Sequence, residues 1–292
     1  MNGQIPTDNV NNIIEKELHE QIKELGEHFE ADVITFFGGL VYGTDDKLRH
    51  AIEQIDSKKQ KLLFVLETTG GSIDVAERIA NTLRHHYQEV DFLIPNYAYS
   101  AGTILTMCGD SIHMDYYAVL GPIDPQVNKQ GVGWVPALGY LAKFNELINN
   151  PNITEAEIAF LCQKFDPAEL HAFENAKNQS ITLLKKWLVN FKFKDWKMTE
   201  TNQQNVTQDM KMQRAEEIAK KLNDTELWHS HNRGIPMQDL RDIVNLKIED
   251  FSNNPDADTV VKKYYQLLKE YAARQGSDSI IHSPKELITF WS

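Results

Sequence analysis

Apolar positions recur along this chain at two periods, and the change of period organises it. Between residues 8 and 30, Val10, Ile13, Ile14, Leu18, Ile22 and Leu25 fall three and four apart. That spacing predicts an amphipathic helix with Asp8 as its N-cap. Residues 32–42 (DVITFFGGLVY) read as a strand broken at Gly38-Gly39, residues 47–55 as a helix, and residues 61–66 as a short buried strand. A helix follows over 73–87, with Ile73, Ala76, Ile79, Ala80 and Leu83 facing inward, then a strand over 90–94. Next come a helix from Ser100 to about Gly109, a strand at 111–114 and a loop at 118–126. Strands alternating with helices predict βαβ units and a mostly parallel sheet. From Pro136 the pattern is helical, over 136–149, 154–164, 167–192 and 207–223, with a polar loop at 192–208 and a last amphipathic helix at 256–276. Right-handed crossovers collect the loops after successive strands at one sheet edge. The Gly70-Gly71 turn and Ser100 are therefore expected side by side.

At 292 residues, 41% hydrophobic and 25% charged, the chain can bury a full core in one large domain or two small ones. Its net charge of −12 and pI near 5.3 argue against a nucleic-acid partner, which needs clustered Lys and Arg. Cys108 and Cys162 have no metal-ligand spacing, so neither a metal site nor a disulfide framework is expected. The first residues lack the basic and apolar regions of a signal peptide, and no apolar run approaches the roughly 20 residues of a membrane span. A cytoplasmic protein is expected, with peripheral membrane contact left open.

Two segments bear on chemistry. Thr69-Gly70-Gly71-Ser72 ends the run Leu62 to Leu66 with two glycines that free backbone N–H groups to turn outward. Tyr99-Ser100-Ala101-Gly102-Thr103 puts a serine at a strand-to-helix junction. Donors and a hydroxyl together are what acyl transfer requires. The plainer readings are that Ser100 and Ser72 merely cap the helices that follow them. A base must also exist. Among the ten histidines, His113 lies in a strand leading away from the serine, and His229 and His231 read as a solvated loop.

Thr68-Thr69-Gly70-Gly71-Ser72, Ser100-Ala101-Gly102-Thr103 and Leu120-Gly121-Pro122-Ile123-Asp124-Pro125-Gln126 resemble the signature segments of the serine dehydrogenase proteinase group. That group is related to signal peptide peptidase A and, more distantly, to the Clp protease subunit. The resemblance spans about residues 32–250, and the Gly-Pro-Ile-Asp-Pro-Gln string is its most specific part. It implies a Clp protease/crotonase-like α/β fold of repeated ββα units, an oligomeric tendency, and peptide hydrolysis by a serine–lysine pair. Carried over, Ser100 matches the nucleophile, and the Gly71 and Ala101 N–H groups match the oxyanion donors. Gly70, Ser72 and Asp124 would border the substrate. Ile123, Asp124 and Pro125 occupy the region where Clp relatives carry their histidine, which turns attention to lysine. A lysine acts as base only where burial or a nearby positive charge lowers its pKa. Lys177 shares an inward stripe with Ile181, Leu184 and Leu188 and, by resemblance, opens the helix beneath the serine; Lys143 is the other candidate.

These observations together predict a helical extension at 1–31, a Clp/crotonase-like serine protease domain at 32–250 and a helical tail at 251–292. The activity expected is that of a serine endopeptidase of the signal peptide peptidase A-like type, with a peptide or unfolded-protein substrate, no cofactor, and self-association. A catalytically silent scaffold and a crotonase-like acyl-thioester enzyme are the competing readings.

Overall fold

A computed structural model describes residues 7–123, 126–129, 133–199, 201–230 and 233–291. Its helices are α1 (Thr7–His28), α2 (Thr44–Glu53), α3 (Ile73–His86), α4 (Ala101–Thr106), α5 (Ala137–Ile148), α6 (Glu155–Lys164), α7 (Pro167–Trp187), α8 (Gln208–Leu222), α9 (Thr225–Trp228), α10 (Met237–Asp242) and α11 (Pro255–Gln275). Its strands are β1 (Asp32–Phe37), β2 (Lys61–Glu67), β3 (Glu89–Leu93), β4 (Tyr97–Ala98), β5 (Ser111–Met114), β6 (Val119–Leu120), β7 (Gln126–Lys129), β8 (Gly133–Pro136), β9 (Ile235–Pro236), β10 (Glu249–Asp250), β11 (Ser279–His282) and β12 (Leu287–Phe290). Seven strands form the main sheet in the order β10-β5-β3-β2-β1-β11-β12. The run β10-β5-β3-β2-β1 is parallel throughout, and β11 and β12 close it with antiparallel pairings. This is the mixed α/β, mostly parallel architecture that the alternating pattern predicts.

The period of two along each strand sorts side chains between the two faces of the sheet. Ile34, Phe36, Leu62, Phe64, Leu66 and Phe92 join the large core shared with α2, α3, α4, α7 and α8. Val33, Phe37, Leu63, Val65 and Leu93 join a second core with α1 and α11. Leu18, Ile22 and Leu25 of α1 and Val261, Tyr264 and Leu268 of α11 supply its other half. The two helices, from opposite ends of the sequence, lie against each other on this face. Thr35 on the same face donates to or accepts from Tyr264 at 2.7 Å, and Tyr264 meets Nδ1 of His282 at 2.9 Å. Nε2 of His282 is 2.8 Å from Nδ1 of half-buried His19, completing a polar chain across α1, β1, β11 and α11.

The segment 251–292 thus carries two strands besides its helix. Gly276, at φ +64°, ends α11 in the left-handed conformation that turns the chain back toward the sheet. The long helical run expected over 167–192 is α7 followed by a π-helical turn at Leu188–Lys192. A small second sheet, β4-β6-β9, sits above the carboxyl ends of the parallel strands. An isolated parallel bridge between Thr68 and Ala98 joins it to the end of β2.

Candidate active site

The loops leaving β1, β2 and β3 converge at the carboxyl edge of the sheet, where α/β folds gather their functional groups. The loop after β2 is held from both sides. On one side Leu40 N donates to Gly70 O at 2.8 Å and Ser72 N donates to Leu40 O at 2.8 Å. Leu40 therefore bonds to the two residues flanking Gly71, and in a parallel bridge this leaves the N–H of Gly71 directed away from Leu40. On the other side Thr68 N donates to Tyr97 O at 3.1 Å and Tyr99 N donates to Thr68 O at 3.0 Å. The Thr68 side chain accepts from Gly70 N at 3.0 Å. Both glycines are needed here: Gly70 has φ +98° and Gly71 φ +142°.

Gly70 has a second reason to lack a side chain. A Cβ there would fall 2.7 Å from Tyr99 O, 3.0 Å from Ser100 Cβ and 3.4 Å from Ala101 N. The glycine turn and the serine junction are in contact. Gly71, by contrast, is exposed, and no hydrogen-bond partner for its N–H or that of Ala101 is present among the described residues. Ala101 is the first residue of α4, so its N–H has no partner within the helix either.

Ser100 itself is strained. Its backbone sits at φ +52°, ψ −118°, a combination that L-residues avoid. Although it occupies the N-cap position of α4, its side chain makes no capping bond. The simple capping explanation fails for Ser100, whereas Ser72 does cap α3, accepting from Val75 N at 3.5 Å. The half-buried Ser100 hydroxyl is thus left uncommitted at a sharp strand-to-helix turn. Thr103, fully buried one turn later, braces that turn. Its hydroxyl lies 2.7 Å from Ala98 O and 2.9 Å from Gly121 O and accepts from Gly121 N at 3.0 Å. Gly121 begins the proline loop, and Ile123 N anchors it to Leu222 O at 3.1 Å. Asp124 of that loop lies outside the described residues.

The lysines separate by location. Lys177 is half-buried on α7, a helix that packs against α4, and below it on one stripe Ile181 is partly buried and Leu184 and Leu188 are fully buried. Gln179, two residues on, donates to Asp74 in the first turn of α3 at 2.8 Å. Lys177 has no ion-pair or hydrogen-bond partner among the described residues. Lys143 is exposed on α5 and pairs with Glu146 at 2.8 Å.

His113 is occupied elsewhere, 3.3 Å from Asp91, whose carboxylate also pairs with Lys61 at 2.8 Å. Burial alone would raise the Asp91 pKa, but hydrogen bonds from His113 and Lys61 outweigh it and hold it near about 2. The sequence pattern gives no sign of Lys192, whose pKa burial pushes down to about 8. Its charged neighbours include Asp91, Glu249 and Asp110, which cluster toward the amino-terminal side of the strands, away from Ser100. His229 is exposed at φ +61°, and His231 lies outside the described residues.

Parts of the chain are similar to known proteins. Residues 19–146 match the family described as ClpP-like SDH-type serine proteinases. This segment, somewhat less than half of the chain, is similar to that family. It carries both glycines, Ser100 and Lys143 and ends before Lys177. Two uncharacterized proteins of Methanocaldococcus jannaschii are similar to parts of the chain. MJ0137 is 39% identical over 72 residues, covering 25% of each protein. MJ1495 is 30% identical over 103 residues, covering 34% of this chain and 35% of its own. The chain thus spans only about a quarter to a third of these relatives' lengths. Among solved structures, a lysine-to-alanine mutant of the 1510-N membrane-bound stomatin-specific protease, in complex with a substrate peptide, aligns with a TM-score of 0.31 at 21% identity. That alignment covers 39% of this chain and 56% of the other. In this chain, no helix among the described residues is long and apolar enough to cross a membrane.

Proposed function

We propose that the chain is a serine endopeptidase that cleaves peptide bonds through an acyl-enzyme on Ser100. One observation carries the reading: a serine held at φ +52° against Gly70, with its hydroxyl free of the capping bond its position offers. Such strain persists only where surrounding structure enforces it, and it presents a nucleophile at the tip of a strand-to-helix turn. Ser100 Oγ attacks the scissile carbonyl while the N–H groups of Gly71 and Ala101 receive the developing oxyanion. The Ser100 proton passes to a lysine and from there to the leaving amine, and water then releases the acyl group. An extended peptide pairs along the outer edge of Gly70-Gly71-Ser72.

Lys177 is the base in this reading, supported by its place on the helix against α4 and its freedom from a carboxylate partner. Lys143 is the second reading, favoured by its place with Ser100 inside the matched segment. Cytoplasmic residence, self-association and a substrate of unfolded or peptide character belong to the same proposal; the buried free thiol of Cys108 suits a reducing compartment.

The test is labelling with a fluorophosphonate probe, alongside hydrolysis of casein and of acyl-CoA thioesters. Labelling of the wild type but not of Ser100→Ala, with casein cleaved, supports the peptidase. No labelling of the folded protein favours a silent scaffold, and thioester hydrolysis alone favours the crotonase-like alternative. Lys177→Met and Lys143→Met then identify the base, since the correct one abolishes turnover at every pH while the other leaves it within a few-fold of wild type.

A further inference from the structure

We infer that Glu67 is a positioning residue for the proposed acyl-transfer site and that α11 sets its activity through the Glu67 carboxylate. The inference rests on the peptidase reading above, but its structural basis is separate. Glu67 is the last residue of β2, three positions before Gly70. Its side chain follows Leu63 and Val65 onto the face covered by α11, and only 4% of it is exposed. A carboxylate so buried is retained only with a full set of partners. Glu67 has them from two directions.

From α11, Lys269 Nζ lies 2.6 Å from Oε1 and the Tyr265 hydroxyl donates to Oε2 at 2.5 Å. From the strand that leads to Ser100, Asn96 Nδ2 donates to Oε2 at 3.2 Å, and Tyr97 lies close enough that, after burial, the Glu67 charge adds to the rise of its pKa. The Glu67 backbone joins in as well, its carbonyl accepting from Gly38 N at 3.0 Å. Asn96 and Tyr97 lie just ahead of Ser100, and Thr68, next to Glu67, pairs with Tyr97 and Tyr99. One carboxylate therefore ties the base of the glycine turn to the base of the serine turn. Phe37 completes the clasp, with the Tyr265 ring at 5.7 Å and Lys269 Nζ 5.8 Å above it.

Neither α11 residue contacts Ser100, so their removal changes the register of the two turns rather than the chemistry itself. Burial raises the Tyr265 pKa, and the adjacent Glu67 charge raises it further, so the phenol stays protonated and donating throughout the working pH range. Misplacement of reacting groups by fractions of an ångström is costly in turnover and mild in binding.

Tyr265→Phe and Lys269→Met are compared with Lys262→Met, which removes an exposed lysine paired with Asp258 on the same helix. The readouts are steady-state peptide hydrolysis and amide hydrogen exchange in segments 68–72 and 96–101. Each of the two clasp variants is expected to lower kcat by roughly tenfold with KM within about twofold. Exchange in both segments should accelerate by a similar factor. Lys269→Arg should restore most of the loss, and Lys262→Met should match wild type. Unchanged exchange overturns the inference whatever the activity, and so does faster exchange with kcat intact. If exchange accelerates while the wild type cleaves no peptide and takes no fluorophosphonate, the clasp stands and the peptidase reading falls.

Discussion

Replacing Ser100 by glycine should make the protein more stable than replacing it by alanine. Both variants lose the hydroxyl, so both should lose fluorophosphonate labelling; they differ in the Cβ. Alanine keeps a side chain at φ +52°, ψ −118°, which costs about 2 kcal/mol within the range for sparsely populated backbone regions. Glycine adopts that geometry freely but gains about 0.75 kcal/mol of disadvantage from its more flexible unfolded chain. It also gives up the contact of Cβ with Gly70, a few tenths of a kcal/mol for a half-buried carbon. Ser100→Gly is left ahead of Ser100→Ala by about 1 kcal/mol, or roughly 2–3 °C in Tm for a chain of this size. Urea unfolding of the two variants side by side, at constant m-value, measures the difference directly. Equal stability, or alanine the more stable, would show that the backbone at Ser100 is relaxed and would remove the main structural support for a nucleophile there.

Three further outcomes follow from the same geometry. Gly70→Ala should lose at least about 2 kcal/mol and nearly all labelling, because its Cβ meets Tyr99 O at 2.7 Å with φ at +98°; a stable, labelled variant refutes the contact between the two turns. Thr103→Val leaves buried carbonyls of Ala98 and Gly121 without their hydroxyl partner and should cost about 1–3 kcal/mol in chemical denaturation, with a loss below about 0.5 counting against the brace. Burial, aided by the neighbouring His19, pushes the His282 pKa down from 6.5 to about 3. The unfolded chain therefore binds a proton that the folded one refuses between those values. Stability should be full above about pH 6.5 and fall as pH drops toward 3, by up to about 1.4 kcal/mol per unit from this group. His282→Gln should flatten that part of a pH series of unfolding midpoints, and an unchanged slope would locate the acid sensitivity elsewhere.

Much of this arrangement can be read along the chain because its signals are local. The period of three and four places α1, α3, α7 and α8 to within a few residues, and the buried runs at 61–66 and 90–94 correspond to β2 and β3. The glycine pair and Ser100 sit together because successive crossovers of one hand leave no other edge for them. What is not legible is non-local. β11 is four residues, SIIH, whose place beside β1 depends on pairing across almost the whole sequence. A strand that short after a long helix carries no periodicity to read. The same limit hides Glu67: a glutamate ending an apolar strand looks solvated until Tyr265 and Lys269 arrive from α11. Lys177 falls between these cases, since the helical stripe gives its direction but the separation from Ser100 depends on how α7 packs.

The pairing of β1 with β11 also sets an order of events during synthesis. A nascent chain that has emerged as far as α10 already carries the serine, both glycines and the two candidate lysines. Yet one edge of β1 is still open, the face bearing Phe37 and Val65 has α1 but not α11 to cover it, and the Glu67 carboxylate lacks both of its α11 partners. Long-range closure of this kind is slow, and an open apolar edge is prone to mispairing until it is covered. Residues 255–290 therefore act as a latch: the chain can seal this side of its sheet and clasp Glu67 only once they have emerged.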